Sequence, residues 1–416
     1  MPSPLYIALR FIGHRKKAII LSLGGIILGV AFFICTQAQT QGFERFYIQT
    51  VLGTTGSIVV QDRFQERYAG ILRGGNNKTL VSVKNEQPRK YYEGITDADE
   101  VMRVLREFSN ITACAPVLEG SATVETDFQS EVFRLQGIDL DAQLRATDLR
   151  SYMVSGDLGD FRQKSSGLLL GSLLAGKMGI QVGSTVSIVG PGGDIRSFEC
   201  CGIFRTGDNL IDEKRGFIHL RVAQSLFNKP AMVSFILVKL QDPDRAPQLA
   251  AHLESLLQHR SRSWQEREHG NLQIFKAIRY SAAITVSTII VLAGFGIFNI
   301  LTLMVLEKVR EIAILRSMGY RRGDISAIFL WQGLLVAVIG SVAGCVLGAL
   351  LTWGVSRIPI KMRGFFATEH FLVYWSWYHY AAAIAIAFVG VFLASYFPAR
   401  RAAKLAPVAI LRGSGQ

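Results

Sequence analysis

RYSAAITVSTIIVLAGFGIFNILTLMVLEKVREIAILRSMGYRRGD, residues 279–324, decides how this chain is built. No charged side chain lies between Tyr280 and Leu306, and the segment then turns abruptly to Glu307-Lys308-Val309-Arg310-Glu311. A second charge-free run, Ile325 to Ser356, begins directly after Asp324. A hydrocarbon core about 30 Å thick takes roughly 20 apolar residues as helix. The pattern predicts two membrane helices joined by a short charged helix that cannot itself enter lipid. A short helix between two spans faces the aqueous phase, where it can meet a partner.

Two more such runs lie outward of this stretch, Ala18–Phe43 and Phe371–Ala399. Four charge-free runs in a 416-residue chain do not fit a globular composition. The expected order is an amphipathic N-terminal helix over 1–17, then a first span and the start of a stalk over 18–43. A large domain with its stalks fills 44–279, and the second span is 280–306. The charged segment is 307–324, the third span 325–356, a loop 357–370, the fourth span 371–399 and a tail 400–416. The 44–279 segment has ordinary soluble composition and is long enough to bury its own core.

The net charge of +13 comes largely from clusters beside the spans. Arg10, Arg15, Lys16 and Lys17 precede the first span. Lys308, Arg310, Arg316, Arg321 and Arg322 lie between the second and third, and Arg400, Arg401, Lys404 and Arg412 follow the fourth. With alternating spans all three clusters fall on one side, which is the positive-inside pattern. Both termini and the 307–324 segment are then cytoplasmic, and the 44–279 domain and the 357–370 loop lie outside. Arg357, Lys361 and Arg363 in that loop run against the bias without cancelling it. The charge is spent on membrane topology, not on nucleic acid. The first run is too long for a signal-peptide core and no A-x-A site follows it, so an uncleaved anchor is expected.

Several chemistries are disfavoured. The five cysteines have no metal spacing. Cys35 and Cys345 fall in spans, and Cys114, Cys200 and Cys201 form no disulfide framework. Gly171-Ser-Leu-Leu-Ala-Gly176-Lys177 has phosphate-loop spacing, but Met178 follows where a magnesium-binding hydroxyl is needed. A leucine-packed helical turn is the better reading. No Ser/His/Asp arrangement stands out, so no catalytic residue and no metal ligand is assigned. No carboxylate pair lies in a span, which argues against an ion-coupled transporter.

The outer domain reads as α+β. SIVVQ, 57–61, is a strand, and Asp97 with Glu100 has capping-box spacing before a helix through Phe108. β-like runs fill 113–137, 168–171, 185–189, 198–204, 216–219 and 233–240, with helices at 172–178 and 246–257. Residues 62–92 are polar, with a turn at Gly74-Gly75-Asn76-Asn77. In the spans, Gly25 and Gly29, and Gly340, Gly344 and Gly348, recur at four-residue spacing, which lets helix backbones approach closely in lipid. Asn299 is a polar residue expected to face protein or a cavity.

Two segments carry a family resemblance. GIFNILTLMVLEKVREIAILRSMGYRRGDISAIFLWQG, 296–333, and the tail from Pro398 through Pro407 to Leu411-Arg412 resemble the permease subunits of FtsX/MacB-type ABC transporters. Ala8-Leu9-Arg10, Gly42-Phe43-Glu44, Leu170-Gly171 with Leu174-Ala175, Gly179 and Gly183, and Trp264 resemble the Lol-type lipoprotein-releasing permeases in particular. The turn Gly190-Pro191-Gly192-Gly193-Asp194 is shorter than the extended loop by which one Lol permease docks its carrier, and 62–92 looks like an insertion.

The resemblance implies a four-helix α-helical membrane domain with an α+β periplasmic domain between the first and second helices, in a bacterial inner membrane. It implies two paired permeases, identical or not, over a separate cytoplasmic ATPase that binds the ATP and magnesium; this chain carries no cofactor and is not an enzyme. Glu307, Lys308, Arg310, Glu311 and Arg316 would couple to that ATPase. Phe33, Phe43, Phe46, Phe295 and Phe298 are candidates for an acyl-chain cavity between the first span of one copy and the second span of its mate. The expected task is extraction of lipoproteins from the membrane, with a periplasmic carrier or adaptor as a further partner. The alternatives are a MacB-like export pump, or FtsX-like transmission of ATPase motion to a cell-wall hydrolase without cargo.

Overall fold

The computed structural model describes residues 6–8, 16–62, 94–126, 129–257, 259–359 and 371–404. Most of the expected 1–17 helix and 62–92 insertion, most of the 357–370 loop, and the tail beyond Lys404 lie outside the described residues. The chain divides into two compact units. One holds Met1–Arg45, Gln273–Ile360 and His370–Gln416, the other Phe46–Leu272 and Lys361–Glu369.

The first unit is helical. Four helices are long and apolar enough to cross a membrane: α1 (Lys16–Thr55), α2 (His269–Glu307), α4 (Arg322–Ser356) and α5 (Trp377–Ala403), with the short α3 (Val309–Ser317) between α2 and α4. The long helices are apolar nearly all round, as helices bathed in hydrocarbon are. Their shared core is built from Ile26, Val30 and Ile34 of α1, Ile290, Ile297 and Leu301 of α2, Ile328 and Phe329 of α4, and Ala383, Ala387 and Val391 of α5.

Glycines set the helix spacing. A Cβ on Gly340 would lie 2.9 Å from Ile26 Cγ2, on Gly344 2.7 Å from Val30 Cβ, and on Gly348 3.1 Å from Ala31 Cα. One face of α4 is thus stripped of side chains where α1 crosses it. Gly25 and Gly29 do the same toward α2, where a Cβ would lie 2.9 Å from Ala293 Cβ and 2.7 Å from Ile290 Cγ1.

The fourth charge-free run begins before its helix does. Phe371–Ser376 is neither helix nor strand, and α5 starts after Ser376, whose side chain accepts from the Tyr378 amide. The segment lies against α1. The Tyr374 amide donates to the Ala38 carbonyl at 2.9 Å, and a Cβ on Gly42 would come within 2.5 Å of the Leu372 carbonyl oxygen. Nearby, Glu44 pairs with Arg279 at 3.0 Å, Arg45 sits 3.5 Å from the Tyr374 ring centroid, and His379 Nε2 lies 2.6 Å from Gln41 Oε1.

The second unit is built on a ten-stranded sheet. Its strands are β1 (Ile58–Gln61), β2 (Ile111–Glu125), β3 (Ser130–Ile138), β4 (Met153–Gly156), β5 (Gly167–Gly171), β6 (Thr185–Val189), β7 (Ile195–Phe204), β8 (Arg215–His219), β9 (Phe235–Leu240) and β10 (Arg260–Ser263). The order is β10-β1-β9-β2-β3-β8-β5-β7-β4, with β6 bridging β2 and β7. The long β2 is the spine, antiparallel to β3, β9 and β6. β5 is a continuous run of buried residues, GLLLG, as a strand covered on both faces should be. The β6–β7 turn closes tightly, with the Gly190 amide donating to the Asp194 carbonyl at 2.9 Å. Gly171–Lys177, the segment with phosphate-loop spacing, is the end of β5 and a helix over Ser172–Met178 whose Leu174, Ala175 and Met178 are buried.

One expected detail is corrected. Ala98–Arg106 is helical, but Asp97 makes no side-chain cap hydrogen bond. Its backbone, at φ −107° and ψ 51°, is outside the extended region from which an N-cap carboxylate reaches back to the helix.

Candidate functional site

The charged segment folds as the separate helix α3, and both its ends are locally determined. Lys308 interrupts α2 with φ −92° and ψ 10°. At the other end Gly319 takes φ +100°, a conformation that costs an L side chain about 1–2 kcal/mol. The Gly319 amide donates to the Arg316 carbonyl at 3.2 Å, and the Tyr320 amide to Leu315 at 3.2 Å. This is the Schellman pattern of helix termination. Asp324 then accepts from the Arg321 amide at 2.8 Å and opens α4.

The two faces of α3 differ. Ile312 and Ala313 are buried, and Ile312 joins the core of the helical unit with Leu315 and Tyr320. Glu307, Arg310 and Glu311 are exposed, Lys308 and Arg316 are half-buried, and Lys308 forms an ion pair with Glu311. All five expected coupling residues therefore share one short segment, but they are not equivalent. Glu307, Arg310 and Glu311 mark an outward stripe that continues through Ile314 and Met318, 46% and 64% exposed. Those two apolar residues were not singled out from sequence. Their signal is periodic, since Arg310, Ile314 and Met318 recur every fourth residue. An exposed stripe that mixes charge with large apolar groups, on a helix anchored from behind, is suited to a protein groove and not to lipid.

The five phenylalanines do not converge. Phe33 is 5% exposed and belongs to the helical core of its own chain. Phe43 is half-buried against Phe371, with ring centroids 6.3 Å apart. Phe46 belongs to the sheet unit and faces Gly207, where it fills the space a side chain would take. Phe295 and Phe298 do lie together, in a crevice of about 220 Å³ with Gly294, Gly390 and Phe397. Asn299 is exposed on the surface of α2.

The sheet unit holds polar networks of its own. Tyr47 donates to Glu268, Asn271 Nδ2 reaches the same carboxylate at 2.8 Å, and Arg267 donates to Thr55 Oγ1 at 2.9 Å. Asp212 is fully buried. Its Oδ1 accepts from the Thr206 amide and hydroxyl, each at 2.8 Å, while Oδ2 has no hydrogen-bond partner among the described residues. Burial raises its carboxyl above the usual range. No group of His, Cys, Asp and Glu among the described residues could hold a metal ion.

A membrane bundle of four long helices with a charged connecting helix, and a large sheet domain in the same chain, define a membrane permease. The MacB-like periplasmic core domain matches residues 19–256, and the FtsX-like permease C-terminal domain matches 283–407. The chain belongs to this family, the ABC transporter permeases of the Lol/MacB/FtsX type. It is 25% identical to the lipoprotein-releasing system transmembrane protein LolC of Neisseria meningitidis, over 98% of each chain. It is 24% identical to LolE of Haemophilus influenzae over 99% of each. The macrolide export ATP-binding/permease protein MacB of Nitrobacter winogradskyi is 27% identical over 94% of this chain and 58% of that longer protein.

Proposed function

We propose that this chain is the permease subunit of an ABC transporter that extracts lipoproteins from the bacterial inner membrane, driven by a separate ATPase. The observation that carries this reading is the outward stripe of residues 307–318, Glu307, Arg310, Glu311, Ile314 and Met318, centred on α3 between α2 and α4. ATP and magnesium belong to the ATPase, whose closure reaches the long helices through α3. Full-length similarity to LolC and LolE supports lipoproteins as cargo. The charge clusters support cytoplasmic termini. The exposed Asn299 amide and the outward Phe32 support a second permease chain against α1 and α2, because an uncovered amide is costly in hydrocarbon. That Phe295 and Phe298 line one crevice supports them as contacts for acyl chains.

The test is Glu311→Arg with Arg316→Glu, which leaves the net charge of the segment and hence its topology unchanged. Truncating one partner of a buried charge pair costs about 2–5 kcal/mol. The double variant is expected to lose the ATPase on purification, or to keep it with lipoprotein release reduced roughly thirty-fold or more. Normal binding with normal release removes α3 from the mechanism. Mass spectrometry of what co-purifies separates a lipoprotein carrier from an export adaptor or a cell-wall hydrolase. Phe298→Asp should lower lipoprotein release with assembly intact, since a charge at this depth costs at least about 2.5 kcal/mol.

A further inference from the structure

The outward face of α2 carries a seven-residue repeat. Thr285, Leu292, Asn299 and Leu306 recur at that spacing, and all four are exposed. Leu292 and Leu306, one repeat either side of the asparagine, are 62% and 65% exposed. Residues seven apart fall within about 20° of one another around a helix, so the four form one line along it. Asn299 interrupts the apolar part of this line with an amide. It precedes Glu307 by eight residues, about 12 Å along the axis, and so lies well inside a hydrocarbon layer about 30 Å thick.

Thr288 and Thr302, also on α2, donate to the carbonyls of Ile284 and Phe298 at 2.9 and 2.7 Å. The helix itself thus satisfies those hydroxyls. The Asn299 amide makes no hydrogen bond among the described residues. An amide left bare in hydrocarbon is costly, since nothing there donates or accepts. The line therefore calls for a polar partner at the depth of Asn299, with apolar surface for Leu292 and Leu306 on either side of it.

We propose that α2 packs along this line against α2 of a second copy of the chain, with Asn299 hydrogen-bonded to Asn299 of the partner subunit. Two copies inserted the same way up run parallel, and a two-fold axis along the membrane normal sets each residue of the line opposite itself. A carboxamide both donates and accepts, so two of them satisfy each other reciprocally. Leucine then meets leucine one repeat to either side. A single asparagine in an apolar seven-residue seam fixes the register of parallel helices in water, and in lipid such a bond is part of what holds helices together. The inference rests on the pairing of permease chains under the proposed function, and it names the partner and the residues that meet. Around the helix Phe298 is turned about 100° from Asn299, so the crevice assigned to acyl chains lies beside this seam and not under it.

The test is oxidative cysteine cross-linking in native membranes that hold the full chain with its ATPase, with Cys35 and Cys345 replaced by alanine. Leu292→Cys and Leu306→Cys are each expected to give a product of twice the chain's mass. Ile289→Cys, exposed on another side of α2, and Val342→Cys, exposed on α4, should give little. Added to Leu306→Cys, Asn299→Leu should lower the yield roughly five-fold, in the range of one interhelical amide bond in lipid, and Asn299→Gln should restore most of it. Should Asn299→Leu fail to insert, the four cysteine positions decide. Dimers as frequent from Val342→Cys as from Leu306→Cys overturn the proposal. So does a yield unmoved by Asn299→Leu, or a product that joins this chain to a different protein. The ATPase is read from the same membranes: bound ATPase without these cross-links removes the seam and leaves the permease reading standing, and cross-links without bound ATPase do the reverse.

Discussion

The helical unit and the sheet unit invert each other's packing rules. In the helical unit the interfaces are stripped to Gly25, Gly29, Gly340, Gly344 and Gly348, while Leu292 and Val342 point outward. In the sheet unit Phe133, Phe161, Phe198 and Phe204 are fully buried, and ion pairs such as Lys164–Glu199 lie on the surface. The difference is one of solvent. In water, large apolar groups are driven inward at about 25 cal/mol per Å². In lipid that force is absent between helices, so close backbone approach and dispersion hold them together, and bulk belongs outside.

This contrast can be broken at four points. Phe161→Ala should have the largest effect. Phe161 is fully buried and stacked on His219 with centroids 4.4 Å apart, so its removal should cost about 3–5 kcal/mol. Hydrogen exchange at the amides of β5 and β7 in the full chain would read the loss. An unchanged exchange rate would mean that the sheet unit tolerates cavities as a lipid-facing surface does.

Gly344→Leu should come next, at about 1–3 kcal/mol from overpacking against Val30. The expected outcome is impaired assembly and reduced coupled ATPase activity. Parental behaviour would show that α1 and α4 are not held by close approach.

Asp212→Asn should act in the opposite direction. The folded chain holds the Asp212 proton above the unfolded value near 3.8. Stability from this group is therefore present at low pH and declines as pH rises from that value through the raised folded one. Asparagine carries no charge to desolvate and should be the more stable side chain at neutral pH. The melting temperature of the variant should also lose part of its dependence on pH above 4. A destabilised variant with unaltered pH dependence would place the Asp212 charge among unseen partners.

Val342→Ala should have the smallest effect, within about 0.5 kcal/mol. Val342 is 62% exposed on α4, and lipid replaces what the side chain loses. A core-sized penalty would mean that another protein surface covers it.

Much of the architecture was legible in the chain itself. The four charge-free runs and the charged break at Glu307 are properties of local composition, and hydrocarbon acts on composition directly. GLLLG at Gly167–Gly171 and the helix at Ser172–Met178 were legible for a similar reason, since burial pattern and length distinguish them locally. The tail of the family resemblance, beyond Lys404, lies outside the described residues.

Tertiary structure decided the remainder. No periodicity says that Phe33 turns into the bundle while Phe295 and Phe298 meet Gly390 and Phe397, because that depends on which helices adjoin. The sequence contained the order of charges on α3, but not the anchoring of Ile312 and Ala313 that turns Ile314 and Met318 outward. Membrane insertion is a sum over residues and can be read along the chain; sites are pairings between residues distant in sequence and exist only once the helices and strands have met.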